Sequence, residues 1–108
     1  MIYELRVYEC FSGRIEALHN RFRDHTLNLF EKHGMKNVGY WTYTVGPSRN
    51  ELVYLLAYPD LNARMESWDS FTSDPAWQKA REESEREGLI VKDVRNSILT
   101  PTPYSPLQ

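Results

Sequence analysis

From Ile2 to Phe11 the side chains alternate, with Tyr3, Leu5 and Val7 on one side and Glu4, Arg6 and Tyr8 on the other. That is the period of two a strand imposes, and both of its sides carry bulk. Ser12-Gly13 interrupts it, after which Ile15, Leu18, Phe22, Thr26, Leu29 and Phe30 recur at spacings of three and four, the stripe of an amphipathic helix. Gly34 is suited to the left-handed conformation just past the end of that helix. Asn37 to Val45 is dense in aromatic and β-branched residues and reads as a second strand, closed by the turn-forming run Gly46-Pro47-Ser48-Arg49-Asn50. Leu52 to Tyr58, stopped by Pro59-Asp60, reads as a third strand, antiparallel to the second across that loop.

Asp60 can cap a helix whose apolar side holds Leu61, Met65, Trp68 and Phe71. Asp74-Pro75 sets a capping carboxylate ahead of a proline suited to a first helical turn, so a further helical piece carrying Trp77 and Ala80 starts there. Its continuation, Arg81 to Glu87, is almost wholly charged and reads as a solvated face ending at Gly88. Leu89 to Leu99 is the last strand, and the prolines of residues 101–108 make an extended arm and forbid a helix. Strand, helix, strand, strand, helix pair, strand is the ferredoxin-like βαββαβ order, an α+β fold with a four-stranded antiparallel sheet. At 108 residues the chain holds one such domain, spanning 1–108.

In this layout helices cover one face of the sheet and leave the other bare. Six of the seven tyrosines (Tyr3, Tyr8, Tyr40, Tyr43, Tyr54 and Tyr58) fall on predicted strands, so rings are expected on the bare face, interleaved with charges and including Arg6 and Tyr8. A large apolar patch seldom stays exposed on a soluble monomer, which points to a homodimer packed sheet to sheet.

Hydrophobic residues make up 41% and charged residues 26%, an ordinary globular balance. The net charge is −2, which gives no footprint for a nucleic-acid backbone. The charged start of the chain and the lack of any apolar run near the roughly 20 residues of a membrane span lead to the expectation of a cytoplasmic protein without membrane contact. Cys10 stands alone, so neither an intrachain disulfide nor a thiolate zinc cage can form, and it is expected to be a small buried hydrophobe.

Arg6 and Tyr8 are the first candidates for a ligand site, because a guanidinium fork beside a phenol can orient a carboxylate, phenolate or enolate. Set against this is a plain ion pair of Arg6 with Glu4 or Asp93. Trp41, Tyr43, Tyr54 and Tyr58 can line a pocket for a flat molecule, or pack as core or interface. Of the three histidines, all on the first helix, His25 is the candidate base. No two are four residues apart, so no metal pair forms on one helical face, and no metal or cofactor is called for. His33 is suited to the negative end of the helix. Arg64 reads as a salt bridge tying its helix to a loop, Asp74 as a cap, and Trp77 as the anchor of the last helical piece.

The set Tyr3-Glu4-Leu5-Arg6-Val7-Tyr8, Gly39-Tyr40-Trp41 with Gly46 and Asn50, Tyr58 with Arg64, Asp74-Pro75-Ala76-Trp77 and Pro101-Thr102-Pro103-Tyr104-Ser105-Pro106-Leu107 resembles the NIPSNAP family across nearly the whole chain. The departure is Ser12-Gly13, where the family often has proline-glycine. The resemblance implies a dimeric α+β barrel, two ferredoxin-like sheets closing around a central space. Bacterial members of the family generally lack an assigned reaction, and animal relatives are linked to mitochondria and protein interactions. Related barrels include monooxygenases, isomerases and haem-degrading enzymes, a link by fold analogy.

These readings combine into a homodimeric barrel whose lumen binds a small aromatic or amphipathic organic molecule, as a cofactor-free enzyme of oxygenase-like or isomerase-like type. In that reading Arg6, Tyr8, Trp41, Tyr43, Tyr54, Tyr58 and Arg64 contact the ligand, and His25 and Tyr8 are the catalytic candidates. The alternative is a non-enzymatic ligand-binding or protein-interaction module, with the proline-rich arm as a recognition element.

Overall fold

The computed structural model describes all 108 residues. Strand β1 (Ile2–Cys10) leads into helix α1 (Ile15–Arg21), a π-helical turn (Phe22–Thr26) and helix α2 (Leu27–Lys32). Strands β2 (Lys36–Trp41) and β3 (Glu51–Tyr58) follow, then helices α3 (Leu61–Thr72) and α4 (Pro75–Ser84), and strand β4 (Val91–Leu99). The sheet order is β2-β3-β1-β4 with every neighbouring pair antiparallel, the ferredoxin-like arrangement expected from the element order. The shortest dimension is 19 Å, the depth of one sheet and one layer of helices.

Local chemistry sets the breaks. Gly34, at φ 84°, ends α2 in a conformation a side chain would resist. Asp60 Oδ1 accepts from the Ala63 N–H, and Asp74 Oδ1 from that of Ala76, so both predicted caps form. The first helical stretch is not uniform: its middle widens into the π turn, where Thr26 Oγ1 donates to the Arg21 carbonyl five residues back. Strand β2 is shorter than the aromatic run suggests, because the chain leaves the sheet after Trp41 and Tyr43 belongs to the loop.

The core lies between the sheet and the helices, where Leu18, Phe22, Leu29, Phe30 and Phe71 pack against Leu52, Tyr54, Leu56 and Tyr58 of β3. Cys10 is buried among them. No helix is long and apolar enough to cross a membrane.

Register corrects the expected faces. Glu4, Arg6 and Tyr8 lie opposite Leu56, Tyr54 and Leu52 of β3, whose side chains are core, so this half of β1 points at the helices. The open face instead carries the other half, Leu5 and Val7 beside Leu55 and Val53, with Trp41 at the β2 edge. Arg6 and Tyr8 therefore do not face the side on which two sheets would close a barrel. The arm turns back over the open face, where Tyr3 Oη donates to the Gln108 carbonyl at 2.6 Å.

Candidate functional site

Beneath α3 the sheet holds a charged network built on Glu4, which is fully buried. Arg64 Nε and Nη2 donate to its two oxygens at 3.0 and 2.8 Å, a fork-to-fork pair. Arg6 Nη1 at 3.0 Å, Asn96 Nδ2 at 2.8 Å and the Tyr58 hydroxyl at 2.7 Å also donate to the carboxylate. Burial alone would raise the pKa of Glu4, but the bonds from Arg64, Asn96 and Tyr58 and the charge of Arg6 outweigh it and hold the group at about 2. Trp68 Nε1 donates to Tyr58 Oη at 2.8 Å, and its ring lies 4.4 Å from the Arg6 guanidinium carbon. Arg64 and Trp68 reach the same spot because residues four apart share one helical face.

Arg6 turns its remaining donors on two phenols, Nε to Tyr54 Oη at 2.7 Å and Nη2 to Tyr8 Oη at 3.2 Å. Burial works against the Arg6 charge, yet Tyr8, Tyr54 and Glu4 together raise its pKa above the ordinary value. Burial first, and then Tyr8, keeps the Tyr54 phenol protonated. Tyr8 thus sits at the end of a rigid chain running Arg64, Glu4, Arg6, Tyr8.

Tyr8 borders a cleft of about 250 Å³ between the sheet and the helices. Phe22 and Thr26 of the π turn, Phe30, Trp68, Phe71 and Trp77 supply the helix side, while Val91 and Val94 supply the sheet side. Arg21, Arg81 and Glu85 are its charged lining. The π turn widens the first helical stretch where it meets this cleft, and such turns recur at functional sites. A small concave space walled by rings, with a few fixed polar groups, is the usual form of an organic-ligand site.

The family model for NIPSNAP matches residues 3–106. This chain belongs to the NIPSNAP family. A NIPSNAP family protein with unknown function from Agrobacterium tumefaciens is 30% identical, with 100% of this chain and 94% of that one covered and a TM-score of 0.87. A second NIPSNAP family protein from that organism is 23% identical, covers 99% of this chain and 98% of its own, and gives a TM-score of 0.88. An antibiotic biosynthesis monooxygenase, 10% identical over 95% of this chain and 100% of its own, gives a TM-score of 0.62 and shows the shared fold alone. No curated protein matches the chain.

In this NIPSNAP protein the residues singled out from sequence separate into three places. Arg6, Tyr8, Tyr54, Tyr58 and Arg64 gather in one network, and of these Tyr8 lines the cleft. Trp41 lies on the open face, its ring folded back over Gly39, and Tyr43 packs over Gly46 in the loop. His25 is exposed, beside Asp24 and Glu83 in a shallow polar groove between the π turn and α4, away from Tyr8. Arg64 ties its helix to a strand, through Glu4, and not to a loop. Arg6 pairs with Glu4, while Asp93, opposite Glu9, is on the other face.

Sequence reasoning missed Glu4 as the centre, and Trp68 and Asn96 as its supports. The signal was present in the i, i+2 spacing of Glu4 and Arg6 and the i, i+4 spacing of Arg64 and Trp68, each pair on one face. It also read Glu85 as solvated charge, whereas Glu85 is half-buried and lines the cleft beside Arg81, which is exposed as expected.

A Ser-His-Asp contact set does occur, with Ser70 Oγ at His33 Nδ1 and His33 Nε2 2.7 Å from Asp74 Oδ2. None of the three residues lines the cleft, and Asp74 also accepts from Lys32 Nζ at 2.8 Å while capping α4. Bonds from Lys32 and His33 and the cap bond hold the Asp74 pKa well below the carboxylate range. The arrangement joins the end of α2 to α3 and α4, and serves packing.

Proposed function

We propose that this NIPSNAP protein is a homodimer in which each protomer binds a small aromatic or amphipathic organic molecule in its own sheet–helix cleft. The observation that carries this reading is the ring-walled cleft of about 250 Å³ with Tyr8 as its one phenol. A lumen between two sheets would lack the Arg6–Tyr8 pair, because the open face carries Leu5, Val7, Val53 and Leu55 with Trp41, Asp93 and Arg95 around them. Tyr8 is held by Arg6 and offers its hydroxyl as one of the fixed polar groups of the cleft. Turnover, of the kind named for the monooxygenase that shares the fold, would make Tyr8 the group touching the reacting oxygen. Dimerisation is supported by the aliphatic rows of the open face, which a second copy would cover.

Trp68 and Trp77 line the cleft, so their fluorescence reports occupancy. Saturable quenching by neutral 2-naphthol is expected, and Val94→Trp should weaken it about tenfold or more by filling the mouth. Val94 is 40% exposed, so the larger ring can be accommodated. Quenching that never saturates, or is the same in Val94→Trp, overturns the cleft as the site.

A further inference from the structure

Arg21 carries a charge that its surroundings leave partly unanswered. It ends α1 directly before the π turn and lines the cleft, and it is 5% exposed. Its Nη1 makes only long contacts, 3.3 Å to Ser84 Oγ and 3.5 Å to Glu85 Oε1, and its Nε is buried with no hydrogen-bond partner. Buried donors are almost always paired, so Arg21 stands as an under-paired cation in the wall of the cleft. The Glu85 carboxylate is also shared, since Arg81 Nε donates to the same Oε1 at 3.3 Å. Two guanidiniums with one carboxylate leave a single positive charge at the cleft.

The walls decide the rest. The Arg21 guanidinium carbon lies 5.2 Å from the Trp77 ring centroid, and Phe71 packs on that ring with centroids 4.6 Å apart. A flat apolar body can lie against these rings while its acidic end meets Arg21. The space is just below the usual range for drug-sized ligands, which favours one or two fused rings. A planar carboxylate matches the guanidinium fork.

Resting on the cleft reading above, we infer that the cleft is built for a monoanion, a small aromatic carboxylate whose oxygens are taken by Arg21 and Arg81. Affinities of 2-naphthoate and the neutral 2-naphthalenemethanol, read by tryptophan quenching, test it. The carboxylate should bind at least about tenfold more tightly, and Arg21→Gln should bring that ratio below about threefold. Arg81, with its side chain 63% exposed, can be replaced without opening the core; Arg81→Gln should weaken the carboxylate alone by about threefold, and it decides the matter if Arg21→Gln does not fold. Equal affinities for the two probes overturn the anion inference and leave the cleft reading standing. A carboxylate preference untouched by both substitutions also overturns it, by placing the anion elsewhere. If neither probe binds, both readings fall.

Discussion

Alternate residues of β1 meet opposite fates. Glu4, Arg6 and Tyr8, its polar half, lie under the helices, while Leu5 and Val7, its apolar half, lie on the face the helices leave open. Taken as a lone protomer, the strand is inverted: its charge lies under the helices, and its aliphatic side chains lie half-buried on the open face. The covered half is tolerable because every polar atom of Glu4 is met, by two arginines, an asparagine and a tyrosine. Within one chain the open half is covered only at the Tyr3 end, by the C-terminal arm. The two faces thus carry different messages, one of a rigid platform behind a cleft, the other of a surface shaped for burial.

The largest expected break of this contrast is on the covered side. Glu4→Gln keeps the shape but removes the charge that Arg6 and Arg64 share, and stranding one side of a buried ion pair costs about 3–5 kcal/mol. Urea unfolding measures it directly. Glu51→Gln is the control, because its partner Arg95 is 53% exposed, and its expected cost is below about 1 kcal/mol. A Glu4→Gln loss no greater than the control would mean that the network does not hold the face together.

Acid should weaken the same network by a somewhat smaller amount. The Glu4 carboxyl is held at about 2 against an ordinary 4.5. A depressed pKa stabilises the fold above the unfolded value, and that stability is lost as pH falls through 4.5 toward 2, with on the order of 3 kcal/mol at stake. Asp74, also depressed, contributes in the acid range through its own bonds. Glu4→Gln should therefore flatten the stability profile between pH 5 and 2 without abolishing the acid loss. A profile identical to that of the unmodified protein would remove Glu4 as its source.

The contrast was only half legible in the sequence. Period-two alternation correctly separated Glu4, Arg6 and Tyr8 from Leu5 and Val7, and the element order correctly gave the fold. Alternation cannot say which half faces the helices, because that depends on which residues of β3 and α3 the strand meets. The usual rule that apolar residues go inward would have buried Leu5, whereas an expectation of aromatic rings on a dimer face exposed Tyr8. The first is defeated by Arg64 reaching down from α3 to Glu4, the second by Tyr8 packing edge-on against Phe22 and Tyr54. The cleft was illegible for a related reason: its walls come from the π turn, α3, α4 and β4, and no local pattern announces that they converge.

The gentlest perturbation sharpens the other side. Val53 sits mid-row on the open face, between Trp41 of β2 and Val7 of β1, with Arg95 of β4 beyond. In a free protomer a lysine there can extend its ammonium into water, so Val53→Lys should change protomer stability by less than about 1 kcal/mol. In a two-fold dimer the same change buries one charge from each copy near the other, a penalty of both desolvation and repulsion. Sedimentation at low micromolar concentration should show a dimer for the unmodified protein and a folded monomer for Val53→Lys. Quenching by 2-naphthol should be retained by that monomer, because the cleft lies on the opposite side of the sheet. A well-folded monomer for the unmodified protein at tens of micromolar would leave the aliphatic rows without the partner assigned to them.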